Sequence, residues 1–195
     1  MFVQINQFII LFLLSFNLVA SDLINAGPMV GYSKKREVAL WIQTTKSVDV
    51  AFKYWNHKNP SKKYLTQTKK TIKDNGFTAT LIADQLEPGQ IYNYEPLINN
   101  NPIIYDYTLE FQTQKHWEYR TDPPDFSFAA GSCSYINEPK YDRPGKSYGG
   151  EYYIFESILD KNPDLMLWLG DNVYFREPDD SKTGVYHRYT HDKSI

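Results

Sequence analysis

Two short stretches carry the residues most able to do chemistry: Gly131-Ser132-Cys133 and Gly170-Asp171-Asn172-Val173-Tyr174. Each follows an apolar segment and reads as the polar end of a strand. In open α/β sheets, ligands bind outside the carboxyl ends of the strands. Neighbouring strands lie ~4.8 Å apart. A thiolate and a carboxylate so placed reach one metal ion, since such bonds are ~2.0–2.3 Å long. The glycine of each stretch is expected to let the backbone turn sharply towards the ion. Either motif alone is weak: a Gly-Asp after a strand is commonly a turn or helix cap, and a free cysteine is commonly a small buried apolar residue. Together they point to a metal site that includes Cys133 and Asp171.

Other polar residues are read more plainly. His187 and His191 are four apart, a spacing that suits zinc on one helical face, but they are read as surface histidines. Glu151, Asp160 and Asp179-Asp180 are read as solvated carboxylates.

The elements that must hold the two stretches change character along the chain. Residues 37–44 (EVALWIQT) alternate, with Val38, Leu40 and Ile42 on one face, and residues 48–55 repeat the period with Val50, Phe52 and Tyr54. Residues 77–82, 91–98 and 105–113 continue it, separated by Asp74-Asn75-Gly76 and Asn99-Asn100-Asn101-Pro102. Short alternating strands at this spacing predict an antiparallel sandwich. Residues 86–94 (LEPGQIYNY) resemble the L-x-P-G-x-x-Y-x-Y corner of fibronectin type III domains. There a tyrosine, Tyr92 here, turns its hydroxyl back onto the preceding backbone, a structural role.

Residues 116–124 (HWEYRTDPP) predict a linker, because a double proline continues neither a helix nor an inner strand. The pattern beyond is strand (125–130), helix (151–161, with Ile154, Phe155, Ile158 and Leu159 at helical spacing) and strand (165–169). The continuous apolar run LMLWL predicts a strand buried on both faces. Strand, helix, strand is a βαβ unit. One such unit leaves its sheet faces uncovered, so the sequence reads as truncated.

Charge and export narrow the class. The formal net charge is −2 over 195 residues. That gives the chain as a whole no footprint for nucleic acid or anionic lipid. The runs Lys34-Lys35-Arg36 and Lys69-Lys70 are read as solvated turns and edge strands. Residues 8–14 (FIILFLL) form an apolar core with no Asp, Glu, Lys or Arg before Asp22. The run is shorter than the ~20 residues of a membrane span and suits a secretory leader over residues 1–21, although it lacks the usual basic start. Cleavage after Ala20 or Ser21 would leave no membrane span and a periplasmic or extracellular protein. The single cysteine, Cys133, forms no internal disulfide.

Taken together, FSFAAGSCSY and LMLWLGDNVY resemble the PhoD-like alkaline phosphatases and phosphodiesterases of the calcineurin-like metallophosphoesterase superfamily. The resemblance implies an all-β Ig/fibronectin type III-like sandwich followed by the beginning (βαβ) of an α/β metallophosphoesterase domain. The implied plan is a signal peptide at 1–21, a sandwich at 22–115, a linker at 116–124 and a truncated catalytic domain at 125–195. It implies iron held by Cys133 as thiolate, Asp171 as a carboxylate bridging to calcium, and Tyr174 as phenolate. The substrate implied is a phosphate ester. The family's later ligands fall beyond Ile195, so this chain alone is expected to be inactive. Two other readings stay open. Purple acid phosphatases join a sandwich to a similar domain but place D-x-G where this chain has Gly131-Ser132-Cys133. A non-catalytic sandwich that binds a partner explains residues 27–113 but not the βαβ segment.

Overall fold

In the computed structural model of the protein the described residues are 22–137, 144–145, 152–175 and 181–191, the side chains of 187 and 189–191 excepted. The leader, Glu151 and Asp179-Asp180 lie outside them. The chain divides into two units, Met1–Thr121 and Asp122–Ile195.

The first unit is a β-sandwich. One sheet has the order β1-β2-β6, from Ile24–Ser33, Val38–Thr44 and Thr78–Ala83, all antiparallel. The other is built on β3 (Asp49–Asn56) and β7 (Ile91–Ile98), antiparallel from Val50↔Ile98 to Asn56↔Tyr92. Two short strands, β4 (Tyr64–Leu65) and β5 (Lys69–Lys70), share the free edge of β3. β8 (Asn101–Pro102) and β9 (Glu110–Gln112) share the far edge of β7.

The alternation decides what is buried. Val38, Leu40, Ile42, Val50, Phe52, Tyr54, Ala79, Leu81, Tyr92, Tyr94 and Phe111 form one core cluster between the sheets. Their rings meet at offset and edge-on geometries that favour aromatic pairs: Phe52–Tyr94 centroids are 5.9 Å apart at 70°, and Tyr92–Phe111 are 5.5 Å apart. Asn99 and Asn100 both adopt positive φ, 49° and 66°, which closes the two-residue hairpin from β7 to β8.

Tyr92 sits in that core with its hydroxyl accepting the Glu87 N–H at 2.9 Å, which pins the turn before β7. Tyr92→Phe leaves that half-buried N–H without its acceptor. The expected cost is about 1 kcal/mol, read as a lower urea midpoint with an unchanged slope.

Two boundaries differ from the pattern. β1 begins at Ile24, and its pairing with β2 is shifted three times, around Ala26, Met29 and Ser33. Bulges break the period of two, so the sequence hides this strand. Of the expected strand at 105–113 only Glu110–Gln112 forms. Tyr105 instead donates its hydroxyl proton to the Gly27 carbonyl at 3.2 Å, so its segment is committed to a side-chain contact rather than a ladder.

The second unit contains β10 (Phe128–Gly131), α1 (Tyr153–Asp160), β11 (Leu165–Trp168) and α2 (Lys182–His191). β10 and β11 are parallel neighbours, paired from Phe128↔Leu165 to Gly131↔Trp168. The helix ends where Asn162, at φ 46°, turns its N–H onto the Leu159 carbonyl at 2.8 Å ahead of Pro163. One ring contact joins helix to strand, Phe155 to Trp168 at 6.1 Å.

The run in β11 is apolar enough for burial on both faces, but its faces are uncovered, as expected of a single βαβ unit. Leu167 is 44% exposed and Leu169, just past the strand, 69%. A run this apolar needs a layer on each side, and among the described residues β11 has one strand neighbour and a single ring contact from α1.

Asp164 fastens the entry to the strand pair. Its carboxylate accepts the Ser127 N–H at 2.8 Å and the Ser127 hydroxyl at 3.1 Å, while its own N–H donates to the Ser127 carbonyl at 3.0 Å. The Ser127 backbone donor, then its hydroxyl, hold this carboxyl below the usual range. A depressed folded pKa adds stability that is complete above the unfolded value of ~3.9 and is lost as pH falls through the folded value. Amide exchange at Ala129 and Met166 should therefore accelerate below about pH 4 more than global unfolding explains, and Asp164→Asn should remove that excess.

Candidate metal centre

The strands' carboxyl ends are held together beyond the ladder itself. Leu169 N–H donates to the Gly131 carbonyl at 2.8 Å, Cys133 N–H to Gly170 at 3.2 Å, and Ser134 N–H to Asp171 at 3.0 Å. Parallel pairing thus continues as two loops laced side by side, and it brings Cys133 against Asp171.

Of the two glycines expected to turn the backbone, Gly170 does so and Gly131 does not. Gly131 lies within β10 at ordinary φ, and a Cβ there would meet Met166 Cε at 3.2 Å, so this glycine serves packing. Positive φ falls on Gly170 (φ 122°), as expected, and also on Asp171 (φ 53°) and Cys133 (φ 64°). For the two non-glycine residues this region is sparsely populated and costs ~1–3 kcal/mol each. The two strained residues face one another across the paired loops.

The side chains converge on one carboxylate oxygen. Cys133 Sγ lies 3.7 Å and Tyr174 Oη 3.2 Å from Asp171 Oδ2. Tyr174's phenol is held well above its ordinary pKa, first by its hydrogen bond with Cys133, then by burial and by Asp171. Three groups that can each carry negative charge therefore face one another, and among the described residues no Lys or Arg makes an ion pair with Asp171. Sulfur and oxygen donors at this spacing fit a cation. They are not a complete set: among the described residues no three His, Cys, Asp or Glu gather as a metal cage.

Cys133 is exposed, which sets aside its reading as a buried apolar residue. The helix α2 carries His187 and His191, whose side chains lie outside the described residues. Two clefts on the sandwich, against Lys34–Glu37 and against Asn25–Gly27, are remote in sequence from Cys133 and lack its chemistry.

The sequence reading overlooked the support behind Tyr174. Its ring packs on Tyr135 with centroids 5.6 Å apart, and the Arg188 guanidinium lies 5.9 Å from the Tyr135 ring. Arg188 is 1% exposed and donates to the Ile136 carbonyl at 3.0 Å. An arginine in a polar stretch gives no sign of burial; only the docking of α2 reveals it.

No protein-family model and no curated protein sequence matches the chain. Its fold is similar to that of a solved structure of PhoD, with TM-score 0.63 and 17% identity over 89% of this chain and 35% of that one. The chain thus spans about a third of the PhoD chain's length. Weaker likenesses include the sensor domain of the anti-sigma factor RsgI4 of Pseudobacteroides cellulosolvens (TM-score 0.36, 14% identity, 46% of this chain and 91% of that). A fibronectin type III domain of the human KIAA0970 protein matches with TM-score 0.36 and 14% identity over 55% of this chain and 85% of that. The fold is PhoD-like: a β-sandwich followed in sequence by a parallel strand–helix–strand unit.

Proposed function

We propose that this chain is the amino-terminal part of an exported, metal-dependent phosphoric ester hydrolase. Residues 22–115 are its fibronectin-like domain, 116–124 its linker, and 125–195 the start of its metallophosphoesterase domain. The observation that carries this reading is the convergence of Cys133, Asp171 and Tyr174 at the carboxyl ends of two parallel strands. The PhoD-like fold supports it.

In this reading Cys133, Asp171 and Tyr174 would hold iron, and Asp171 would also serve calcium. Bound there, the metals would polarise a phosphoryl oxygen of the ester. The chain's own part is positional. The backbone bonds from Cys133 and Ser134 to Gly170 and Asp171 fix the separation of the two loops. The Asp171 carboxylate orients the thiol and the phenol before any cation arrives, and Tyr135 limits the swing of the Tyr174 ring.

The test is direct. The chain titrated with ferric iron should develop a visible phenolate-to-iron absorption that Tyr174→Phe abolishes and Asp171→Asn weakens. A chromogenic phosphate ester should remain unhydrolysed, because three donors make only part of a coordination sphere. Failure to bind iron or calcium would favour a sandwich whose role is to bind a partner.

A further inference from the structure

We propose that the lysine-rich edge of the sandwich, residues 50–73, docks on the surface of an anionic phospholipid bilayer. This stretch holds seven lysines and no Asp or Glu, in a chain whose net charge is −2. The chain-wide balance conceals it.

The fold gathers these lysines on one border. β4 and β5 both lie on the free edge of β3, with Tyr64 opposite Tyr54, Leu65 opposite Lys53 and Lys69 opposite Val50. Lys58, Lys62 and Lys63 occupy the connection from β3 to β4, and Lys73 follows β5. Among the described residues, Lys53 alone of the seven forms an ion pair, with Glu95. The others are all exposed, Lys62 and Lys63 lying over the rings of Tyr64 and Trp55.

Lysines on an edge strand commonly serve only to prevent edge-to-edge pairing. That accounts for Lys69 and Lys70. It does not account for Lys58, Lys62, Lys63 and Lys73, which lie outside the paired edge residues. Nor does it account for two aliphatic side chains exposed among them, Leu65 at 57% and Ile72 at 43%. Protecting an edge calls for fewer apolar groups, not more.

Cations interleaved with exposed aliphatics match a lipid interface, where ammonium groups meet lipid phosphates and apolar groups enter the headgroup boundary. A single-stranded nucleic acid would need open ring faces for its bases. Here the Trp55 ring is covered by Lys63 Nζ at 3.3 Å from its centroid, and Tyr64 is stacked on Tyr54 with Lys62 at 5.0 Å. The rings hold the lysines in place rather than offering themselves to a ligand. This inference is independent of the metal centre.

Co-sedimentation of the full chain with phosphatidylglycerol–phosphatidylcholine vesicles, against phosphatidylcholine alone, tests it. Apolar surface elsewhere in the chain adds equally to both lipids, so the preference between them is the readout. A preference of about tenfold or more for anionic vesicles is expected, falling with salt, since each lysine near such a surface contributes roughly fivefold. Lys69→Gln/Lys70→Gln/Lys73→Gln should lower the preference severalfold or more, since Lys58, Lys62 and Lys63 remain, and Leu65→Ser/Ile72→Ser should weaken anionic binding severalfold, with circular dichroism unchanged in both. No preference in the native chain, or an undiminished one in the triple variant, overturns the proposal. So does an unaffected Leu65→Ser/Ile72→Ser variant together with equally tight binding of single-stranded DNA, which marks a site for a soluble polyanion.

Discussion

Asp171→Asn in a protein that carries this site with its complete catalytic domain is expected to lower bound iron, bound calcium and phosphoester hydrolysis together. The loss of activity should be at least about 10²-fold, beyond the 10–100-fold typical of groups that merely support a metal ligand. Asp171 Oδ2 is the atom on which both Cys133 Sγ and Tyr174 Oη converge. Asp171→Asn replaces the charged common acceptor by a neutral amide and, in the proposed centre, removes the carboxylate charge facing two cations. Cys133→Ser should lose iron selectively, because a hydroxyl is a poor substitute for a soft thiolate. Calcium should be better retained in that variant, since calcium prefers oxygen ligands. Metal content by elemental analysis, beside turnover of a chromogenic ester, separates the two variants. Full metal and full turnover in Cys133→Ser would remove the thiolate from the centre.

Phe52→Ala should be the most damaging single change to the sandwich. Phe52 is fully buried, edge-on to Tyr94 at 5.9 Å, and lies in the strand that pairs with three others. Truncating such a ring costs ~3–5 kcal/mol from lost transfer energy and an unfilled cavity. That is a large share of the ~5–15 kcal/mol of a typical domain, and urea unfolding followed by circular dichroism should show it. Leu159→Ala gives the contrast. Leu159 is 75% exposed on α1, and its truncation should change stability by less than about 0.5 kcal/mol. A similar loss for both would mean that α1 is covered in solution.

The sequence by itself determined the sandwich strands whose side chains alternate cleanly. Ile91–Ile98 is the span its alternation gives, and Val38–Thr44 and Asp49–Asn56 lie within a residue of theirs. A period of two forces one face inward wherever that face is apolar, so Leu40, Phe52 and Tyr94 leave no choice of register. β1 escaped because its bulges break the period. The types of the site residues were also legible, since a polar cluster after an apolar strand has few local uses. Their meeting followed only on the condition that the two strands are neighbours. Cys133 and Asp171 are 38 residues apart. Whether they touch depends on β10 and β11 being immediate parallel neighbours and on backbone bonds that continue past the strands. The strained φ at both residues and the burial of Arg188 likewise arise only when distant segments pack. Propensity acts over a few residues; these features are set by which surfaces meet.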